Sequence, residues 1–269
     1  MSQVGSETSI APAGVPKIST ARRNYILVVL VLAGTLNFLD RQVLTILIEP
    51  IRKEMSLTDT QIGFLAGMAF TVVNVALGIP IARLADSWSR RKVLVISIAV
   101  WSFMTAMCGL AQGYVQLLFA RMGVGAGEAG GQPTNQAIVN DLFPKEVRST
   151  AMSILFLSVP FGIMAGLLVG GWAFAAFGWR GAFILAALPG LIMAPLVYFT
   201  VPEIRKGMAD GARAQLTAPP FGKTVRLLMS IGSFRNLMFG SMIRTFLTMG
   251  VTAWFPSFLV RSHGMSLAA

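Results

Sequence analysis

The stretch GTLNFLDRQVLTILI, residues 34–48, decides the fold, because it carries ionisable groups inside a run that otherwise resembles a lipid-facing helix. Asn37, Asp40 and Arg41 lie in its middle. A charge near the centre of a bilayer costs ~2.5–3.5 kcal/mol on insertion scales. Either this run does not cross a membrane, or something inside the membrane needs those groups.

Composition decides between these alternatives. Of the 269 residues, 55% are hydrophobic and only 12% are charged, and the mean hydropathy is +0.70. A soluble domain of this size needs more charge to cover its surface. Apolar runs of roughly 20 residues recur along the chain, which is the length that a helix needs to cross the hydrocarbon core. The sequence therefore predicts a polytopic all-α membrane protein.

Seven membrane helices are predicted, and they divide the chain into four parts. The parts are a cytoplasmic tail (1–22) without the apolar segment of a signal peptide, a six-helix bundle (23–202), a cytoplasmic linker (203–235) and the start of a second bundle (236–269). Six helices, a linker and one more helix resemble half of a twelve-helix protein, so we expect a truncated chain that lacks its C-terminal half. The predicted helices cover 24–48, 61–85, 92–111, 114–136, 149–174, 180–201 and 236–260.

The linker has one periodic segment. Its apolar residues recur at helical spacing beside two basic residues, which suits a short interfacial helix on an anionic leaflet. The alternative is an unstructured linker with accidental periodicity. The residues concerned are Phe221, Val225, Leu228, Ile231, Lys223 and Arg226.

Basic residues predict the orientation and account for the net charge of +11. The tail and the loops after helices two, four and six hold fifteen lysines and arginines, whereas the other loops hold four. This asymmetry places the N-terminus in the cytoplasm of a cell or inner membrane. A nucleic-acid surface is excluded, because no basic patch with interleaved aromatic residues occurs.

Residues for enzymatic chemistry are scarce. The single cysteine, Cys108, lies in an apolar run, and the single histidine, His263, lies in RSHGM. Neither a disulfide nor a cysteine metal cluster can form, and no G-x-S-x-G or H-E-x-x-H occurs. We therefore expect no enzyme, no metal and no cofactor.

Helix four carries a polar stripe. Its members step by four, three, four and three residues, so they share one helical face that should line a bundle interior or a water-filled cavity. They are Arg121, Gly125, Glu128, Gln132 and Asn135.

Helix one offers a matching set, because Asn37, Arg41 and Thr45 are successive turns apart and Asp40 lies beside them. With the predicted orientation, two acids and two bases from helices one and four meet at similar depth. Two satisfied salt bridges that fix the helices together are one interpretation. The other is proton coupling by Asp40 and Glu128, with Arg41 and Arg121 as charge partners or as sites for an anionic substrate group.

Two other helices contribute candidate cavity residues. Asn74 in helix two is expected to border the cavity. In helix seven, Arg244 shares a stripe with Thr248, and it could be either a cavity cation or a residue that snorkels towards the cytoplasm.

The loop ARLADSWSRRK, residues 82–92, resembles the signature G-x-x-x-D-[RK]-x-G-R-[RK] of the major facilitator superfamily. Asp86, Arg90 and Arg91 match the signature, while Ser87 departs from its basic position. Ala82 and Ser89 replace its two glycines. The resemblance implies a cytoplasmic gate that latches the two halves of a transporter and includes Asp86, Arg90, Arg91, Asp141 and Arg148.

Within that superfamily, NFLDRQ, MGVGAGEAG, DLFPKEVRSTA and FGWRGAF resemble the spinster-like branch, over residues 24–205. The resemblance implies two inverted three-helix repeats, alternating access, proton coupling and a lysophospholipid or sphingoid substrate. Anion:cation symporters of sugar acids share similar motifs and are the alternative. Small residues that let helices approach closely are expected at Gly125, Gly162, Gly166 and Gly170.

Other classes of membrane protein fit less well. A seven-helix receptor normally presents its N-terminus outside, and no channel filter is evident. A scaffold would leave the buried charges unexplained. The sequence thus predicts a secondary transporter in the bilayer, a monomer when complete, whose partners are protons and a small-molecule substrate.

Overall fold

The computed structural model describes residues 18–204, 206–210 and 221–263, and most of the predicted tail 1–22 lies outside these ranges. The described residues form helices and contain no strand. A chain of this apolarity forms helices because each helix satisfies its own backbone hydrogen bonds in lipid.

Ten α-helices follow one another along the described residues. Three of them begin at side-chain caps: Ser19 accepts a hydrogen bond from Arg22 N before the first helix, Thr58 forms a capping box with Gln61 before the second, and Ser89 accepts from Lys92 N before the fourth. The helices are α1 Thr20–Glu54, α2 Asp59–Gly63, α3 Ala69–Ser87, α4 Arg90–Leu110, α5 Tyr114–Glu128, α6 Gly131–Leu142, α7 Lys145–Phe156, α8 Ser158–Thr200, α9 Phe221–Ser230 and α10 Gly232–His263.

Helix α8 contains the point at which the chain reverses direction between the fifth and sixth predicted helices. Gly178 has φ 69° and ψ 178°, a backbone conformation that favours glycine, and the chain turns back there. Arg180, just beyond the turn, binds Glu54 at the end of α1 and Ala111 O at the end of α4. The ends of α1 and α4 therefore share one side of the bundle. We call the side that holds Glu54 the far end and the side that holds Thr20 the near end.

The predicted fourth helix, 114–136, is wrong as a single element. The structure ends α5 at Glu128 and begins α6 at Gly131. Pro133 has no N–H to donate, and its ring conflicts with the carbonyl four residues earlier, so the regular hydrogen bonding fails at this point.

Four stretches among the described residues are long and apolar enough to cross a membrane: Thr20–Glu54, Asp59–Ser87, Arg90–Leu110 and Lys145–Thr200. The last holds 56 residues and turns back at Gly178, so it accounts for the fifth and sixth predicted helices. The fourth and seventh predicted helices are not among these four stretches. Helices α5 and α6 have only 15 and 12 residues.

Glycines set the approach of α8 to α1. A Cβ added at Gly162 would lie 2.6 Å from Thr35 O, and one at Gly166 would lie 2.8 Å from Leu39 O. Gly170 is less crowded, because its nearest neighbour is the Cδ1 of Ile46 at 3.2 Å. Backbone contact between helices is thus possible because these positions have no side chain.

Replacing Gly166 with alanine is expected to destabilise the bundle by about 1–3 kcal/mol, because its methyl group would press on the α1 backbone. Gly170→Ala, on the same helix face, is the matched control, since only flexible side chains must give way. Thermal unfolding of the detergent-solubilised protein measures both changes. Equal melting temperatures for the two variants would contradict this packing argument.

Candidate transport site

An ion pair joins α1 to α5 in the interior. Arg41 Nε donates to Glu128 Oε2, across 87 residues of sequence. The Glu128 side chain is fully buried, while that of Arg41 is one-third exposed. The second oxygen of this carboxylate, Oε1, has no hydrogen-bond partner among the described residues. Glu128 therefore relies on one arginine for the stabilisation of its charge.

Asp40 lies beside this pair but has a different partner. The hydroxyl of Thr105, on α4, donates to Asp40 Oδ2, and both residues are buried. The charges of Glu128, Arg121 and Arg41 all act on the Asp40 carboxyl. The two acids and two bases from the predicted helices one and four thus form one electrostatic cluster. Thr105 was missed, although a hydroxyl in the apolar run of α4 was a signal for it.

Arg121 is the unpaired member of the cluster. Only 2% of its surface is exposed, and its Nε and Nη1 have no acceptor among the described residues. Its guanidinium instead lies over the ring of Phe70, 5.5 Å from the centroid. The interpretation of two satisfied salt bridges is therefore wrong. Only one ion pair forms among these four residues, because Arg41 binds Glu128 and Asp40 accepts its hydrogen bond from Thr105.

Polar residues extend from this cluster along α1 and α6. Asn37, Gln132 and Asn135 line one cavity, in which Asn37 Nδ2 and Asn135 Oδ1 have no hydrogen-bond partner within the part of the chain that the structure describes. Thr45 is half-buried on α1. On α3, Asn74 Nδ2 donates to Gly125 O at 3.1 Å, so it holds α3 against α5.

Helix α10 presents Arg244 and Thr248 as exposed residues. Arg244 lines an open groove on α10 together with Ser233, Asn236 and Ser241. Within the described parts of the chain, the structure does not bring Arg244 or Thr248 into contact with the cluster of α1 and α5.

The predicted gate residues lie at the near end. Arg90 is buried, binds Asp141, and donates to Ala137 O at 2.6 Å, so it joins α4 to α6. Its bridge to the exposed Asp86 is longer, at 3.5 Å. Arg148 Nε donates to Phe143 O at 3.1 Å. Asp86 thus has Arg90 as a partner, but the better buried partner of Arg90 is Asp141.

The start of the linker is attached to the same near end. Gly207 N donates to Asp141 Oδ1 at 3.0 Å. Glu203 accepts from Ser89 Oγ at 2.5 Å and lies 3.7 Å from Arg91 Nε. The linker therefore contacts both near-end loops that carry predicted gate residues. Farther along it, α9 covers Phe221–Ser230, where periodicity predicted a helix.

A second ion cluster, which the sequence did not predict, lies at the far end. Arg261 near the end of α10 binds the buried Glu49 on α1 at 2.6 Å and Asp59 on α2 at 2.9 Å. Arg52 also binds Glu49, at 3.2 Å, but from within α1. Trp254 of α10 lies against Gly63 of α2. No local sequence pattern joins Arg261 to acids more than 200 residues away.

Comparison with known proteins decides the family. The profile of the Major Facilitator Superfamily matches residues 30–269. The chain belongs to the major facilitator superfamily. The predicted fold class, a major facilitator six-helix bundle followed by the first helix of a second half, is thereby confirmed.

Curated relatives of this superfamily member transport different solutes. An MFS-type efflux pump of Mycolicibacterium smegmatis is 34% identical over 89% of this chain and 55% of its own length. A hexuronate transporter of Bacillus subtilis is 29% identical over 90% of this chain and 58% of its own length. A sphingosine-1-phosphate transporter of Mus musculus is 28% identical over 87% of this chain and 43% of its own length. The chain spans about half the length of these relatives.

Among solved structures, a bacterial homologue of the human lysosomal transporter spinster, in an inward-facing and unoccupied conformation, has a TM-score of 0.84 and 30% identity. The similarity covers 93% of this chain and 58% of that one. The predicted resemblance to the spinster-like branch, limited to its N-terminal part, is confirmed.

Proposed function

We propose that the complete protein is a proton-coupled secondary transporter that moves a small anionic or amphiphilic solute by alternating access. One observation carries the proposal: the buried Glu128, paired with Arg41, lies beside a buried Asp40 and an Arg121 without an acceptor among the described residues. Charges in this position are costly in a membrane, so a functional role is the first explanation for them.

A structural role alone does not account for the cluster. Glycines already bring α8 against α1 and α5 against α3 without any ionisable group. If the Glu128 carboxylate is ionised in one state of the transporter, it pairs with Arg41. If it is protonated in the other state, it releases Arg41. Asp40 and Glu128 are therefore the proposed proton carriers, and Arg121 is the proposed contact for an anionic group of the solute.

Alternating access needs two ends that open in turn. Near its end, α10 is bound to α1 and α2 through Arg261. With the N-terminus in the cytoplasm, the far end faces outside and is closed. This arrangement agrees with the inward-facing conformation of the spinster homologue. Asp86, Arg90, Arg91, Asp141 and Arg148 are the proposed cytoplasmic gate.

The relatives point to two kinds of substrate. The spinster-like resemblance and the sphingosine-1-phosphate transporter favour a lysolipid or sphingoid solute. The hexuronate transporter favours a sugar acid instead. Both kinds can carry an oxyanion, which a buried guanidinium recognises through charge-assisted hydrogen bonds. The amphiphile is the first choice, because the spinster homologue covers more of this chain with higher identity.

Uptake by the full-length protein in proteoliposomes tests the proposal. Labelled sphingosine 1-phosphate and labelled D-glucuronate are each supplied with and without an imposed proton gradient. We expect concentrative uptake of one probe, with loss of accumulation when an ionophore removes the gradient. Uptake that ignores the gradient would contradict proton coupling, and uptake of neither probe would contradict the substrate class.

A further inference from the structure

The ring of Phe70 contacts both arginines of the buried cluster. Its centroid lies 4.8 Å from Arg41 Cζ and 5.5 Å from Arg121 Cζ, and the residue is 9% exposed. Two like charges therefore share one buried aromatic side chain. No sequence pattern distinguishes Phe70 from the other apolar residues of α3.

Backbone features of α3 and α5 aim this ring. A π-helical turn, Phe64–Met68, ends immediately before α3 and shifts the faces of the helix that follow it. A Cβ at Gly125 would lie 2.7 Å from Phe70 O and 3.3 Å from Phe70 Cδ2, so only glycine allows this approach. The Asn74–Gly125 hydrogen bond fixes the same contact one turn later. The position of the ring is thus determined by two helices.

Arg121 needs such a contact because it is buried and its Nε and Nη1 have no acceptor among the described residues. A guanidinium with unsatisfied N–H groups is costly to remove from water. The face of an aromatic ring attracts a cation, and the attraction is stronger in a desolvated site. Unlike a carboxylate, the ring leaves the net charge of the arginine in place and its N–H groups free.

We propose that Phe70 is a positioning residue that holds Arg121 away from Glu128 and Asp40 and available to an oxyanion, carboxylate or phosphate, of the transported solute. This inference rests on the proposed function and deepens it. Without the ring, Arg121 is free to turn towards the acids of its own cluster, and the anion contact is lost while the proton carriers remain. Recognition should therefore suffer more than turnover.

The transport test uses three variants of the full-length protein in proteoliposomes, with sphingosine 1-phosphate and D-glucuronate as probes. F70L and F70M remove the ring but retain an apolar side chain, and F70Y retains the ring. We expect F70L and F70M to raise KM about tenfold for the probe that the wild type takes up, with maximal rates within about twofold. F70Y should keep a KM near that of the wild type. An unchanged KM in F70L and F70M would overturn the inference.

A double-mutant cycle separates positioning from packing. In an Arg121→Gln background, F70L is expected to change KM by less than about twofold, since the guanidinium of Arg121 is gone and Arg41 stays paired with Glu128. An effect as large as in the wild-type background would mean that Phe70 acts on the fold and not through Arg121. The wild type, F70L, Arg121→Gln and the double variant are also compared by thermal unfolding without any solute. If the losses of melting temperature in the two single variants add up in the double variant, the inference is overturned, whether or not either probe is transported. Lack of transport of both probes by itself contradicts only the proposed substrate class.

Discussion

Replacing Glu128 with glutamine is expected to abolish proton-driven accumulation while leaving solute exchange at equal pH. Glutamine preserves the shape of the side chain but neither carries a charge nor exchanges a proton. Arg41 then loses its only carboxylate partner in the described structure. Asp40→Asn is expected to act in the same direction, because the amide could still accept from Thr105 but could not titrate. Accumulation under an imposed gradient should fall at least about tenfold in each variant.

The control for this prediction is Glu146→Gln, which changes an exposed acid on α7 in the same way. It should accumulate solute like the wild type. Each variant is also tested for exchange, so that a folding defect, which removes both activities, is distinguished from lost coupling. Undiminished, pH-dependent accumulation by both Glu128→Gln and Asp40→Asn would contradict the proposed proton carriers.

Replacing Arg261 with glutamine is expected to open the far end. Arg261 is the described link from α10 to the acids of α1 and α2, and hydrogen bonds to charged groups contribute about 1.5–3 kcal/mol when well shielded. Partial exposure of this arginine reduces that value, so we expect roughly a tenfold shift in the ratio of the two conformations. Spin labels on the exposed Thr60 and Ser262 of the full-length protein should report longer distances.

Arg52→Gln is the matched control, because Arg52 binds Glu49 from within α1 and does not link two helices. It removes the same charge from the same carboxylate, yet it should leave the distance between the labels unchanged. If Arg52→Gln lengthens the distance as much as Arg261→Gln, the effect comes from the total charge of the far end. The ion cluster would then not act as a gate.

The helical architecture was predictable because each helix is specified by neighbouring residues. Apolar runs predicted the helices, and the spacing of Phe221, Val225 and Leu228 predicted α9. The fourth helix shows where such reasoning fails. Its polar stripe has the right period, yet Pro133 interrupts the backbone, and a count of polar positions ignored that interruption.

The sequence predicted which charged residues belong to the candidate site, but it did not predict which of them bind each other. Asp40, Arg41, Arg121 and Glu128 are conspicuous because charged residues are rare in apolar runs. Which acid binds which base depends on the distances between helices. Thr105 lies on a third helix, and it satisfies Asp40 and so leaves Arg121 without a carboxylate among the described residues.

The sequence by itself determined that this protein is helical, lies in a membrane and contains an unusual group of charges, because hydrophobicity and period are properties of the local chain. Only the tertiary structure decided that Arg41 binds Glu128, that Phe70 contacts both arginines and that Arg261 joins α10 to α1 and α2. Each of these contacts joins residues on different helices. Their geometry depends on glycine-mediated packing, the π-helical turn and the reversal at Gly178, which act together and which no local pattern encodes.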